Sequence, residues 1–282
     1  MSVLTETYQL ANGVQIPKVG FGTWQIPNGD AAYHSVATAL KNGYRHIDTA
    51  KAYGNEKSVG QAIRDSGIDR KEIFVTSKLP AEIKTYEGAL KAFDETMADL
   101  DIDYLDLYII HAPWPWRETG KNCDQGNIEA WKALEKVYKD GRVRAIGVSN
   151  FAVRDLKNLF DHSEVTPMVN QIQYYVGFTE PKITSYSQHH GLLVEAYSPL
   201  ATGQMLNNDH VLKLADKYGV TTAQLAIRFC IENGTLPLPK SVTPEHIISN
   251  KELDFTISPE DMAELNDLAD TADGNNHNRT QG

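Results

Sequence analysis

Cysteine is scarce in this chain: Cys123 and Cys230 are the only two in 282 residues. Two thiols make no disulfide framework, so a reducing cytoplasm is the default compartment. No apolar run reaches the roughly 18–20 residues needed to cross a bilayer. The opening Met1-Ser-Val-Leu-Thr-Glu6 lacks the basic start and apolar core of a signal peptide. Without that route, the sequon Asn278-Arg-Thr280 is read as chance. Basic residues are outnumbered, 27 against 37, for a formal net charge of −10. Nucleic acids and anionic membranes both call for clustered Lys and Arg, so neither is an expected partner. There is no Walker phosphate loop and no His/Cys cluster with metal spacing; His189 and His190 are adjacent, not one helical turn apart. The nearest approach to Gly-x-Gly-x-x-Gly is Gly20-Phe-Gly22-Thr-Trp-Gln25. It lacks the third glycine, and no helix follows at once, which argues against an open dinucleotide-binding sheet.

What is present suits a globular enzyme. Hydrophobic residues make up 41% of the chain, enough for a core. Short apolar runs recur near 19–22, 44–48, 73–77, 104–110, 143–148, 168–172, 192–197 and 236–239. Segments of helical period lie between and after them, near 30–42, 55–66, 85–99, 127–139, 152–160, 179–189, 208–232 and 244–249. Gly43, Gly141 and Gly234 sit where helices stop, and Thr243-Pro244 reads as a cap and first turn. Asn12-Gly13 between Tyr8-Gln-Leu10 and Val14-Gln-Ile16 predicts a hairpin with a tight primed turn. Repeated strand–helix alternation means parallel β/α units, in a closed barrel or an open doubly wound sheet. An eight-fold barrel takes about 250 residues. No linker or composition break is visible, so residues 1–282 are expected to form one domain, with 274–282 as a polar tail.

Four residues carry the chemistry. Asp48 and Tyr53 lie in Asp48-Thr-Ala-Lys-Ala-Tyr-Gly-Asn-Glu56, Lys78 ends one apolar run, and His111 ends another. In a parallel barrel such strand ends meet on one rim. Singly, each has a commonplace reading: a cap, a half-buried phenol, a snorkelling amine, a core imidazole. Jointly they are coherent. Reducing a carbonyl needs hydride at carbon and a proton at oxygen. Tyr53 can give that proton, and a nearby ammonium, Lys78, is expected to lower its pKa. Asp48 would hold Lys78 charged, and His111 would donate a hydrogen bond to the carbonyl oxygen. Tyr53-x-x-x-Lys57 mimics a short-chain dehydrogenase pair, but it comes early and without a Gly-rich loop, so Lys57 is read as a solvated helix residue. A different enzyme class stays open: a barrel aldolase with Lys78 as Schiff-base nucleophile. A regulatory protein on the same barrel is a third reading.

At this point the chain closely resembles the aldo-keto reductases. The carriers are Gly20-Phe-Gly-Thr-Trp24, Asp48-Thr-Ala-x-x-Tyr-Gly-Asn-Glu56, Gly147-Val-Ser-Asn-Phe151, Asn170-Gln171, Tyr197-Ser-Pro-Leu200 and Pro239-Lys-Ser-Val-Thr243. It looks most like the bacterial branch holding diketogluconate and glyoxal/methylglyoxal reductases. The resemblance implies a (β/α)8 TIM barrel with an N-terminal β-hairpin closing its base, and a monomer. It implies a nicotinamide cofactor, and the four residues above match the catalytic tetrad. By the same match Ser149, Asn150 and Gln171 would hold the nicotinamide carboxamide, and Tyr197 would stack on the ring. Ser198 and Leu200 would follow the pyrophosphate, with Gly22 and Thr23 also in the cofactor set. Lys240, Ser241 and Thr243 would surround a 2′-phosphate, and Asn250 would face adenine. Trp24 would line the substrate pocket.

Three departures from the family pattern modify these expectations. His246 stands where many NADPH-dependent members carry Arg. An imidazole is mostly neutral near pH 7 and cannot grip phosphate with a guanidinium fork, so NADPH is preferred but some use of NADH is expected. The catalytic His is followed by Ala-Pro-Trp114-Pro-Trp116, which moves the pocket aromatic to Trp114 or Trp116. Asn170-Gln-Ile-Gln-Tyr-Tyr-Val176 also departs, leaving the following loop open but not Gln171. The expected substrates are small aldehydes, dicarbonyls or aromatic aldehydes.

Overall fold

The computed structural model describes residues 2–269, 271 and 272, so the expected tail 274–282 and its sequon lie outside the described residues. Two antiparallel strands, β1 (Thr7–Gln9) and β2 (Gln15–Pro17), open the chain. Eight parallel strands follow: β3 (Phe21–Gly22), β4 (His46–Asp48), β5 (Phe74–Leu79), β6 (Leu105–Ile110), β7 (Val143–Ser149), β8 (Val169–Gln173), β9 (Leu193–Tyr197) and β10 (Leu236–Leu238). Each pairs with the next in chain order. The N–H groups of Gly20 and Gly22 donate to the carbonyls of Pro237 and Pro239, both at 3.0 Å, which brings the last strand beside the first and rounds the sheet into a barrel.

Helices α1 (Asp30–Lys41), α2 (Glu56–Asp65), α3 (Tyr86–Leu100), α4 (Asp124–Lys139), α5 (Val153–His162), α6 (Pro181–His189), α7 (Asp209–Tyr218) and α8 (Thr222–Glu232) occupy the crossovers; α9 (Pro244–Ser249) and α10 (Pro259–Asp267) follow the last strand. Strands β5 and β6 are buried along their whole length. One face meets the barrel interior and the other the helices, which is why their sequences read as unbroken apolar runs. The hairpin closes the base: Ile16 is fully buried in a cluster with Leu107, Ile109 and Leu236. The Tyr8 hydroxyl reaches the carbonyls of Ile231 and Thr235 at 3.3 and 3.2 Å.

Two local expectations are corrected, one helix was missed, and one cap holds in position only. The hairpin turn is not a two-residue primed turn: Leu10 N–H donates to Val14 O, and only Gly13 in the turn has positive φ (87°). The Asn12 side chain instead docks on Arg144 O at 2.9 Å, so tertiary anchoring replaces turn propensity. The segment 208–232 is two helices. Gly219 (φ 65°) stops the first, and Thr221 caps the second in a box with Gln224. Helix α10 was legible but unread: Ser258 accepts from Asp261 N–H, with Pro259 in the first turn. Thr243 does hold the cap position of α9, but its side chain makes no capping bond.

Helix α2 crosses the end of α3 closely enough to demand glycine at Gly60. An added Cβ there would lie 2.0 Å from the Leu100 carbonyl oxygen. Gly60→Ala would raise helix propensity by about 1 kcal/mol, yet the clash forces two backbones apart. The expected net result is a loss of roughly 1–3 kcal/mol, read by urea unfolding; a variant as stable as wild type would mean the two helices separate freely.

Candidate active site

The end of β4 delivers Asp48 into the barrel, and the turn Lys51–Tyr53 carries Tyr53 back over it. Asn55 fixes this turn: its side chain accepts from Thr49 Oγ1 (2.8 Å) and donates to the carbonyls of Thr23 and Ile26 (2.9 and 3.0 Å). That tie also anchors the loop bearing Trp24. Lys78 on β5 is fully buried and donates to Asp48 Oδ1 at 2.6 Å and to Thr49 O at 2.9 Å. Its ammonium lies 4.9 Å from the centre of the Tyr53 ring. His111 follows β6 and meets the Tyr53 ring edge to face at 5.6 Å. The four expected catalytic residues therefore converge, although Asp48 and His111 are 63 positions apart in the chain.

Electrostatics refine their states. Burial opposes charge on Lys78, but Asp48 and then Tyr53 outweigh it and hold the ammonium above its usual range. An amine so held is a poor Schiff-base nucleophile, which counts against the aldolase reading. Burial pushes the Tyr53 hydroxyl above the ordinary phenol range; Lys78 pulls it down, but not enough. The expectation of a lowered Tyr53 pKa is thus corrected: desolvation wins over the ammonium. Burial, then Lys78, hold His111 well below the usual imidazole value, so it is neutral.

The tetrad opens on a cavity of about 900 Å³ whose wall includes Gly22, Trp24, Trp116, Ser149, Asn150, Gln171, Tyr197, Ser198, Leu200, Lys240, Ser241, His246 and Asn250. Ser149, Asn150 and Tyr197 are tied together. Ser149 Oγ donates to Gln171 O (2.8 Å), Asn150 Nδ2 to Ser149 Oγ (3.1 Å) and to His111 O (3.0 Å), and the Tyr197 hydroxyl to Asn150 Oδ1 (2.8 Å). Asn150 and Ser198, each just past a strand, adopt positive φ (61° and 49°), strain that non-glycine residues keep where a site requires it. At Gly22 a Cβ would approach the Leu238 carbonyl oxygen to 3.1 Å, a tight contact where β3 passes the last strand.

Besides Lys78, which is fully buried beneath Tyr53, three expected site residues do not line the cavity. Thr23 is fully buried and donates to Asp48 O at 3.0 Å, so it braces the end of β4. Thr243 lies outside the wall; its N–H donates to Ser241 Oγ at 3.0 Å. Trp114 is buried behind Trp116, ring to ring at 5.4 Å, and Trp116 alone of the two lines the cavity, 5.2 Å from the His111 ring. Lys57 is solvated as expected, 75% exposed. The altered segment after Gln171 buries Tyr174, Tyr175 and Val176 in a second core and turns through paired Tyr175–Phe178 backbone bonds. Sequence reading missed Gln25, Thr202, Leu206 and the start of α8 at Thr221–Ala223, all on the wall. It also missed Lys84, which donates to Ala112 O (2.7 Å) and steadies the loop after His111, and Glu195, buried against Gln171 at 2.7 Å. A buried Glu within an apolar strand, as in Leu193-Val-Glu-Ala-Tyr197, was the available signal.

Among the described residues no helix is long and apolar enough to cross a membrane. The model of the aldo/keto reductase family matches residues 18–270. The glyoxal reductase of Bacillus subtilis is 42% identical over 266 residues, covering 94% of this chain and 93% of its own. The morphine 6-dehydrogenase of Pseudomonas putida is 38% identical over 92% of this chain and 90% of its own. Among solved structures, an aldo/keto reductase from Brucella melitensis superposes with TM-score 0.87 at 42% identity, covering 93% of this chain and 98% of that one. An aldo-keto reductase of Bombyx mori in complex with NADP gives 0.85 at 31% identity, over 94% and 93%. With the barrel and the cavity at its strand ends, these matches identify the chain as a member of the aldo/keto reductase family, an oxidoreductase that reduces carbonyl groups with a nicotinamide cofactor.

Proposed function

We propose that the chain works as one cytoplasmic, monomeric barrel domain that reduces small aldehydes and dicarbonyls, with Tyr53 as proton donor and NADPH as preferred cofactor. The observation that carries this is the buried Asp48–Lys78 pair beneath Tyr53, at the floor of a cavity that runs on to Lys240. Free, separated cysteines, one of them buried, suit the reducing compartment. The wall fits the cofactor's chemistry. Ser149, Asn150 and Gln171 offer hydrogen-bonding partners for a carboxamide, and Tyr197 offers a ring face. Ser198 and Leu200 follow, and Lys240 and Ser241 bring a cation and a hydroxyl close to the first turn of α9, with Asn250 at its end. Thr243 supports Ser241 from behind. When bound, nicotinamide supplies hydride to the carbonyl carbon.

The chain's own residues do the rest. A substrate oxygen between Tyr53 and His111 would take a hydrogen bond from the neutral imidazole, which lowers the cost of charge building on that oxygen. Tyr53, held protonated by burial, transfers its proton there. The tyrosinate left behind faces Lys78, whose charge Asp48 secures. Trp24, 42% exposed, and Trp116 flank the entrance and favour small or flat substrates. Following NADPH and NADH consumption against a panel of aldehydes and dicarbonyls tests the reading; binding of cofactor without turnover of any carbonyl would overturn it in favour of a regulatory barrel.

His246, exposed on α9, lines the same end of the cavity as Lys240. His246→Arg would add a permanent, forked cation beside the proposed phosphate site. The NADPH/NADH ratio of kcat/KM is expected to rise about tenfold, equivalent to about 1.4 kcal/mol. An unchanged ratio would place the 2′-phosphate elsewhere.

A further inference from the structure

Beneath the proposed tetrad lies a second buried acid that the mechanism above does not use. Glu195 on β9 is fully buried and sits in register with Gln171 on β8 and Leu236 on β10. The Gln171 amide bridges two carboxyls: Nε2 donates to Glu195 Oε2 at 2.7 Å and to Asp48 Oδ2 at 3.0 Å. Asp48 Oδ1 is already taken by Lys78. Asp48 Oδ2 therefore needs a donor, and only the nitrogen end of the Gln171 amide can supply one. With both N–H bonds committed to acids, the oxygen end is the one left for a donor in the cavity, which Gln171 lines.

We infer that Glu195 is a positioning residue for the cofactor carboxamide: it locks the Gln171 amide in one orientation, and its ionisation biases the site from reduced towards oxidised nicotinamide. The inference rests on the cofactor reading above.

Charge bookkeeping supports it. The charged and titratable groups facing Glu195 are Asp48 on β4, Lys78 on β5 and Tyr53 above them. His46, two residues before Asp48, is kept neutral by burial, then Lys78, with its value lowered to about 3. The neighbours in register on β8 and β10 are uncharged. One buried ammonium thus serves two buried carboxyls, and Asp48 already has it. Burial first, then Asp48, push Glu195 up to about 8 against the pull of its Gln171 bond. Its Oε1 is buried with no hydrogen-bond partner among the described residues, which a neutral acid tolerates better than an anion. Near neutral pH Glu195 is a neutral acceptor for Gln171. Above about pH 8 it becomes an anion close to where the nicotinamide ring is proposed to lie. Oxidised nicotinamide is cationic and reduced nicotinamide is neutral, so only the oxidised form gains from that charge.

The experiment measures Kd for NADPH and NADP+ by fluorescence titration from pH 6.5 to 9.5. It uses wild type, Glu195→Gln and Glu195→Leu, with melting curves to verify folding. Both cofactors carry the same 2′-phosphate, so its titration cancels in the ratio Kd(NADP+)/Kd(NADPH). In wild type this ratio should fall about three- to tenfold as pH rises through 8. Glu195→Gln keeps the acceptor but cannot ionise, and its ratio should stay flat. Glu195→Leu leaves a Gln171 N–H unpaired and should weaken NADPH binding about tenfold at pH 7. If Glu195→Leu fails to fold, the flat ratio of Glu195→Gln carries the test. A Glu195→Gln variant with the wild-type slope overturns this inference alone, because wild type still binds both cofactors. Wild type that binds neither overturns both this inference and the proposed function.

Discussion

Replacing Tyr53 with Phe is expected to lower kcat/KM for carbonyl reduction by about 10²- to 10⁴-fold, the usual worth of a positioned general acid. That corresponds to about 3–5 kcal/mol of lost transition-state stabilisation. The ring would stay, with its edge contact to His111 and its place over Lys78. The fold and the cofactor wall are therefore preserved, and the NADPH Kd should shift by no more than about twofold. The loss should fall on kcat, because the proton is delivered only as charge develops on oxygen. A Phe variant that keeps more than about a tenth of wild-type kcat would mean the proton comes from another group.

Lys78→Met is expected to act on stability as well as on catalysis. The Lys78–Asp48 pair is wholly buried at 2.6 Å, so removing the cation strands a carboxylate in the barrel. Breaking such a pair from one side costs about 3–5 kcal/mol. Asp48→Asn strands the ammonium instead and should cost a similar amount. The double variant removes both charges and should regain a large part of the stability while remaining inactive. Urea unfolding of all three settles the coupling; additive losses would mean the two charges do not depend on each other. The pH dependence has a defined sign. Lys78 is held above its ordinary value, so its contribution is fully present below that value and fades only as pH rises through the folded one. Across the neutral range the Lys78 contribution should therefore stay constant.

Where the sequence was legible, one physical pattern did the work. Strands covered on both faces must be apolar throughout, so the runs 73–77 and 104–110 stood out, and the residue after each, Lys78 and His111, became a site candidate. Lys78 was recognisable only jointly with Asp48, Tyr53 and His111, because an amine at the end of such a run can also snorkel to the surface. Boundaries set by long-range contacts were not legible. Asn12 forgoes a primed turn because Arg144, over a hundred residues away, offers it a carbonyl. The choice between Trp114 and Trp116 depends on which ring the loop folds inward, and that depends on Lys84, just before α3, and Asn127 on α4 gripping the loop together. The direction of the Tyr53 shift was misjudged because sequence shows the neighbouring charge but not the depth of burial. Glu195 passed unnoticed because a strand position gives no hint of which buried amide it will meet.

The two hydrogen bonds from Gly20 and Gly22 to Pro237 and Pro239 have a bearing on how the chain is made. Until residue 239 leaves the ribosome, β3 and β9 are bare sheet edges with unpaired backbone groups, open to pairing with another chain. The hairpin cannot seat fully either, since Tyr8 waits for the carbonyls of Ile231 and Thr235. At roughly 5–20 residues per second, the nascent chain carries this open sheet for many seconds. Its period of greatest aggregation risk is therefore late synthesis, and a stall just short of β10 is the most hazardous place for translation to pause.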